Sequence, residues 1–170
     1  MLRVVIFNLL YILSCSYALL RGGAPERIGA VILIANFQFS HWLIAPLESR
    51  YADVEWAMFC VDGVAFLALY ALSISSTRFW PIWMAAIQGV VAISHLAGLR
   101  PDVISWAYGN AVALWAWVLV AILASATWRH QFRLRRFGSD PAWPRQLPPS
   151  YRAGMTIGAG ETQAEAEAGP

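Results

Sequence analysis

Two histidines, two carboxylates, a glutamine and an asparagine lie in or at the edge of long apolar runs. They are His41 in NFQFSH, Glu55 and Asp62 in EWAMFCVDGVAFLALYALSISS, Gln88 and His95 seven residues apart, and Asn110 after Gly109. Polar groups are costly in such runs, so each must face protein, water or a partner. Several chemistries fit the set. His41 and His95 are the minimum for axial ligation of a b-type haem, with Arg50 and Arg100 placed to meet propionates. A quinone pocket would use the same polar groups. His41, His95, Asp62 and Glu55 also have acceptable ligand chemistry for a divalent metal, but no tight ligand spacing such as HExxH commits them to one. A proton or small-solute path would use Asp62 and the histidines as a relay. The far half of the apolar segments adds only Ser73, Ser75, Ser76, Ser125 and Thr127, which argues against a through-channel. The plainest reading needs no ligand: such side chains join membrane helices by hydrogen bonds of roughly 0.6–2 kcal/mol each.

Catalytic constellations are weak. Ser40 and His41 are sequence neighbours and cannot face one another on a helix. The chain has no phosphate-binding glycine loop, no CxxC and no nucleophile elbow. A non-enzymatic protein is expected, and the sequence names no cofactor.

The elements that carry these residues are apolar and long. Hydrophobic residues make up 59% of the 170-residue chain and charged residues 13%, about half the charge usual in soluble domains. The mean hydropathy is +0.53. Five segments, about 2–20, 28–47, 55–76, 79–99 and 103–128, approach the roughly 20 helical residues that cross a bilayer. Short connections between them imply an antiparallel bundle of five transmembrane helices over residues 1–137. Residues 138–170, rich in Pro, Gly, Ala and Glu, read as a disordered tail.

Every basic residue is arginine, and their placement sets an orientation. With five crossings, Arg21, Arg27, Arg78, Arg129, Arg133, Arg135, Arg136, Arg145 and Arg152 share one side, against Arg3, Arg50 and Arg100 on the other. The positive-inside rule then puts the N-terminus outside and the C-terminus in the cytoplasm. A cleaved signal peptide ending near Ser16-Tyr17-Ala18 would export the arginine-rich side, which opposes that reading. Trp42, Tyr51, Trp56, Trp106 and Tyr108 fall near the outer interface, and Phe79, Trp80, Trp83 and Trp128 near the inner one. The run RHQFRLRRF after Trp128 reads as an extension of the last helix along anionic headgroups. The net charge of +2 gives no reason to expect a nucleic-acid partner.

In that topology His41, Asp62 and His95 lie at similar depth, some 6–11 Å below the outer interface at about 1.5 Å per residue. A polar chamber facing the periplasm follows if their faces converge. Polar residues around more than half of the second helix predict that neighbours enclose it. Small residues four apart, at Ala85–Gly89, Ser94–Gly98, Ala107–Ala111 and Ala121–Ser125, permit close helix approach within one chain or between copies. Cys15 and Cys60 sit in apolar runs and read as buried packing residues rather than a disulfide.

RGGAPER (21–27), the aspartate of the third helix at Asp62, and RFWPIW with the following Gln88 and His95-Leu96 carry a resemblance. Over roughly residues 2–130 the chain resembles an uncharacterised family of small polytopic bacterial inner-membrane proteins. The resemblance implies a multi-pass inner-membrane location and transfers no activity or site. The resulting expectation is a non-enzymatic accessory or interaction subunit, or a homo-oligomer, whose partners are the lipid bilayer and another membrane protein or a second copy. The alternative is a haem-, quinone- or metal-binding redox subunit, or a small transporter, built on His41, Asp62, His95, Gln88, Asn110 and Glu55.

Overall fold

The computed structural model describes residues 2–43, 56–96 and 105–146, with side chains from 113 onward in the last stretch. Five helices account for nearly all of these residues: α1 (Leu2–Arg21), α2 (Ala24–Leu43), α3 (Trp56–Ser75), α4 (Trp80–Ser94) and α5 (Ser105–Phe137). A short 3-10 turn follows at Pro144–Gln146. No strand occurs among the described residues.

Two of the helices, α1 and α3, are long and apolar enough to cross a membrane, with mean hydropathies of 1.7 and 2.0. Helix α4 is apolar but has 15 residues before His95 closes it, its backbone N–H bonded to the Ala92 and Ile93 carbonyls. These properties point weakly to membrane association.

Each helix packs on its chain neighbours, and α1 also packs on α5, so the five form a ring in sequence order. Further contacts join α2 and α5 across it. Helical spacing selects the buried faces. On α3 they are Asp62, Ala65, Leu69 and Leu72. On α4 they include Met84, Ala85, Gln88, Val91 and Ala92. Leu69, Met84 and Leu123 are fully buried and meet in the middle with Ala30 and Leu72.

Close approaches depend on small residues. A Cβ on Gly29 of α2 would lie 2.7 Å from the Trp80 ring of α4. At Gly89 of α4 it would lie 3.2 Å from Phe66 of α3, so the Ala85–Gly89 pair serves packing within the chain. Ala121 and Ser125 are instead exposed. Cys15 is buried as expected, whereas Cys60 is exposed, and both are free.

One expected boundary moves, and the expected extension of the last helix is present. Helix α2 starts four residues earlier than the apolar run, because Pro25 and Glu26 form its first turn rather than a loop. Proline is tolerated there, where its missing N–H would have no helical partner anyway. Helix α5 continues through RHQFRLRRF to Phe137 and ends at Gly138, whose φ of +72° suits a left-handed helix cap.

The expected disordered tail needs a sharper correction. Its first residues fold back onto the turn between α3 and α4. Thr77 donates from its backbone N to the Ala142 carbonyl at 3.0 Å and from Oγ1 to the Pro141 carbonyl at 2.7 Å. Ala142 is buried, and Trp143 packs on the core. Composition hid this because local polarity says nothing about partners more than 60 residues away. Residues 147–170 lie outside the described residues.

Candidate functional site

The polar residues of the interior form two clusters at opposite ends of the bundle. The first is centred on Asp62, which α3 presents on its buried face. Gln88 Nε2 of α4 donates to Asp62 Oδ1 at 2.6 Å. His95, two turns further along the same face of α4, sets Nε2 2.7 Å from Asp62 Oδ2. Asp62 and His95 are each 6% exposed and Gln88 is 1% exposed. A buried carboxylate is tolerable only with such partners. With both oxygens engaged, Asp62 is held rigidly.

This cluster forms one wall of a cavity of about 200 Å³ that all five helices line. Asn36 and Ser40 of α2 extend the polar wall. Asn36 Oδ1 is buried without a hydrogen-bond partner among the described residues. The apolar part of the lining includes Phe7, Tyr11, Phe37 and Met58, with the Tyr11 and Phe37 rings 4.7 Å apart. An apolar cavity of about 150 Å³ accommodates benzene, so this one has room for a single ring. Hydrogen-bonding groups together with aromatic rings suit a small cyclic molecule bearing a carbonyl or hydroxyl.

The structure thus joins three of the sequence candidates, Asp62, Gln88 and His95, and separates a fourth. His41 is exposed on α2 and does not line the cavity. Helix α2 buries only the face of Glu26, Ala30 and Leu33, so it is not enclosed, and Gln38 and His41 point outward. This removes the paired axial ligands on which a haem reading stands, and Nε2 of His95 is engaged by Asp62. Among the described residues no group of three His, Cys, Asp or Glu side chains is arranged to hold a metal ion. Glu55 lies outside the described residues, as does the side chain of Asn110.

The second cluster was not foreseen. Glu26, in the first turn of α2, is fully buried and accepts a hydrogen bond from Trp80 Nε1 at 3.2 Å. Trp80 is therefore a core residue at 5% exposure, not the interfacial ring its position suggested. Arg78 lies between Glu26, with Nε 3.4 Å from Oε1, and Asp140, which its two terminal nitrogens each meet at 2.7 Å. Arg133 Nε adds a contact to Asp140 Oδ1 at 3.0 Å. His130 Nδ1 lies 2.6 Å from Asp140 Oδ2. Burial opposes ionisation of Asp140, but hydrogen bonds from Arg78 and His130 and the charges of Arg78 and Arg133 outweigh it, holding its carboxyl below the ordinary value of 3.8. Gln131 of α5 also donates to the Arg21 carbonyl at the end of α1. Every helix end on this side is tied to another.

No protein-family model, curated protein or solved structure matches the chain.

Proposed function

We propose that the chain is a multi-pass membrane protein whose five-helix bundle binds a small, ring-containing amphiphile, such as a quinone headgroup, in the Asp62 chamber. One observation carries this reading: the buried Asp62–Gln88–His95 set opens onto a cavity instead of being packed solid. Bundles of this kind build ligand sites from side chains on facing helices. The chamber binds and orients; it has neither a nucleophile poised beside a base nor a second redox group among the described residues. The role is therefore one of binding rather than catalysis.

Large apolar side chains cover the outside of the ring, including Val5, Leu9, Ile12 and Leu13 of α1 and Val64, Leu67 and Ile74 of α3, each more than half exposed. In water such a surface would be untenable for a monomer, whereas in a bilayer it meets lipid. The same proposal includes five crossings, from the apolar segments, an outer N-terminus and a cytoplasmic C-terminus, from the arginine distribution, and a bacterial inner membrane, from the family resemblance.

The test is binding of single-ring quinones and phenols to purified protein in mild detergent, with mass spectrometry of co-extracted small molecules. One molecule per chain is expected, with binding lost in Asp62→Asn and in the cavity-filling Leu119→Trp. Absence of any co-extracted ring compound, together with no saturable binding of the added ones, would remove the reading.

A second reading, an interaction subunit or homo-oligomer, draws on a groove between α2 and α3. Ala35, Cys60, Ala65 and Ala68 make its floor small-sided, which admits a helix closely. Exposed Cys60 offers a direct check. Oxidative crosslinking through Cys60 in membranes should yield a dimer or a defined heterodimer, and a chain that stays monomeric there and alone in detergent would sink it.

A further inference from the structure

A second groove runs between α4 and α5, with a volume of about 480 Å³. Its two ends differ in chemistry. Arg78, Arg129 and Arg133 stand at one end, next to Thr77. Trp83, Ile87, Val118, Ala121 and Ile122 line the rest. The basic end is not fully neutralised among the described residues. Glu26 and Asp140 together offset Arg78 and Arg133, which leaves one cation in excess: Arg129 meets no carboxylate among the described residues. The Arg129 guanidinium instead lies over the Phe79 ring, 4.8 Å from its centroid, and both residues line the groove.

Length decides what the groove can hold. Arg129 and Val118 are eleven residues apart on α5, about 16 Å at the helical rise. This is close to half of a hydrocarbon core about 30 Å thick, the depth of one leaflet. The small side chains of Ala121, Ser125 and Ala126 leave the channel between Trp83 and Ile122 open along that length. A phosphate at the arginines and an acyl chain along the groove would satisfy both ends at once.

We propose that this groove is a binding site for one anionic phospholipid, with its phosphate on Arg129 and Arg133 and one acyl chain along Ile87, Val118 and Ile122. The proposal rests on the bilayer reading above, not on the ligand assigned to the Asp62 chamber. Charge complementarity selects the anionic headgroup, since a zwitterionic lipid would bring its own cation against the arginines. Arg133 is already oriented by Asp140, so the site is partly preorganised before lipid arrives.

The full chain in mild detergent, incubated with equal amounts of phosphatidylglycerol and phosphatidylcholine, tests this by native mass spectrometry. One phosphatidylglycerol should be retained in clear preference. Arg129→Gln, which touches neither ion-paired cluster, should lower that preference roughly tenfold by removing a charge-assisted contact. Ala121→Trp should fill the groove and abolish retention while leaving the thermal midpoint near that of the parent. Equal retention of both lipids, or an unchanged preference in Arg129→Gln, overturns the proposal. Displacement of the lipid by inorganic phosphate alone overturns it too, because the apolar channel would then contribute nothing. A change of oligomeric mass in Ala121→Trp without lipid preference would assign the groove to a second copy. Flotation with phosphatidylcholine vesicles after an alkaline wash separates the two levels: protein that leaves the vesicles defeats the bilayer reading, whereas embedded protein without lipid preference defeats only this site.

Discussion

The two buried polar clusters use similar residues for opposite ends. Both contain a carboxylate bonded to a histidine at 2.6–2.7 Å, and both join segments distant in the chain. Around Asp62 the partners are few, and one wall opens to a cavity. Around Asp140 the partners include two arginines and a histidine, and the space behind them is filled by Trp80 and Glu26. The clusters are ten residues apart along α2, from Glu26 to Asn36, which is about 15 Å. Between them Ala30, Leu69, Leu72, Met84 and Leu123 belong to one buried apolar cluster. What distinguishes a site from a clamp here is not the presence of charge. It is whether the carboxylate itself borders empty volume. Asp62 does, whereas Glu26 and Asp140 are closed in by their partners and, of the clamp's charged groups, only the arginines reach the groove between α4 and α5.

Substitutions can break that contrast. The largest effect is expected for Arg78→Ala, which removes the cation shared by two buried carboxylates and should cost about 3–5 kcal/mol in unfolding measurements. Asp62→Ala should cost less, about 1–3 kcal/mol, since the groups left behind are one amide and one imidazole, while ligand binding disappears. If Asp62→Ala proved the more destabilising of the two, the clamp and the site would have to exchange roles. The pH response sharpens the difference further. Asp140 has a lowered pKa in the folded state, so its stabilisation is complete above the ordinary value of 3.8 and is lost as pH falls below it through the folded value. An unfolding midpoint followed from pH 7 downward should therefore drop in acid, and Asp140→Asn, weaker at neutral pH, should lose less of it. The smallest effect is expected for His41→Ala, within about 0.5 kcal/mol and with ligand affinity unchanged, because that side chain belongs to neither cluster.

The sequence made the Asp62 cluster partly legible through helical periodicity. Asp62, Ala65 and Leu69 do share a buried face, and the seven-residue spacing of Gln88 and His95 does align them toward it. Periodicity could not fix the rotation of α2. Within NFQFSH, Asn36 and Ser40, four apart, line the chamber, while His41 is exposed and lies outside its lining. The chemistry of histidine drew attention to the wrong member of that segment. The clamp was hidden for a different reason. Glu26 looked like a loop residue, Arg78 like a topology charge and Asp140 like part of a tail, so each had a sufficient local explanation. Their pairing spans 52 residues from Glu26 to Arg78 and 62 from Arg78 to Asp140, beyond the reach of any local pattern.

The return of residues 138–146 to the turn at Thr77 also imposes an order on biogenesis. Synthesis at about 5–20 residues per second makes Asp140 some 3–12 seconds after Arg78. Through that interval Glu26 and Arg78 have each other but lack the carboxylate that completes the clamp. A chain released after Phe137 should remain protease-sensitive in a pulse-chase experiment, whereas one released after Gln146 should mature to resistance. Equal maturation of the two would mean that the last turns of α5 suffice. Otherwise the nascent protein becomes secure only when a short segment beyond α5 has been made.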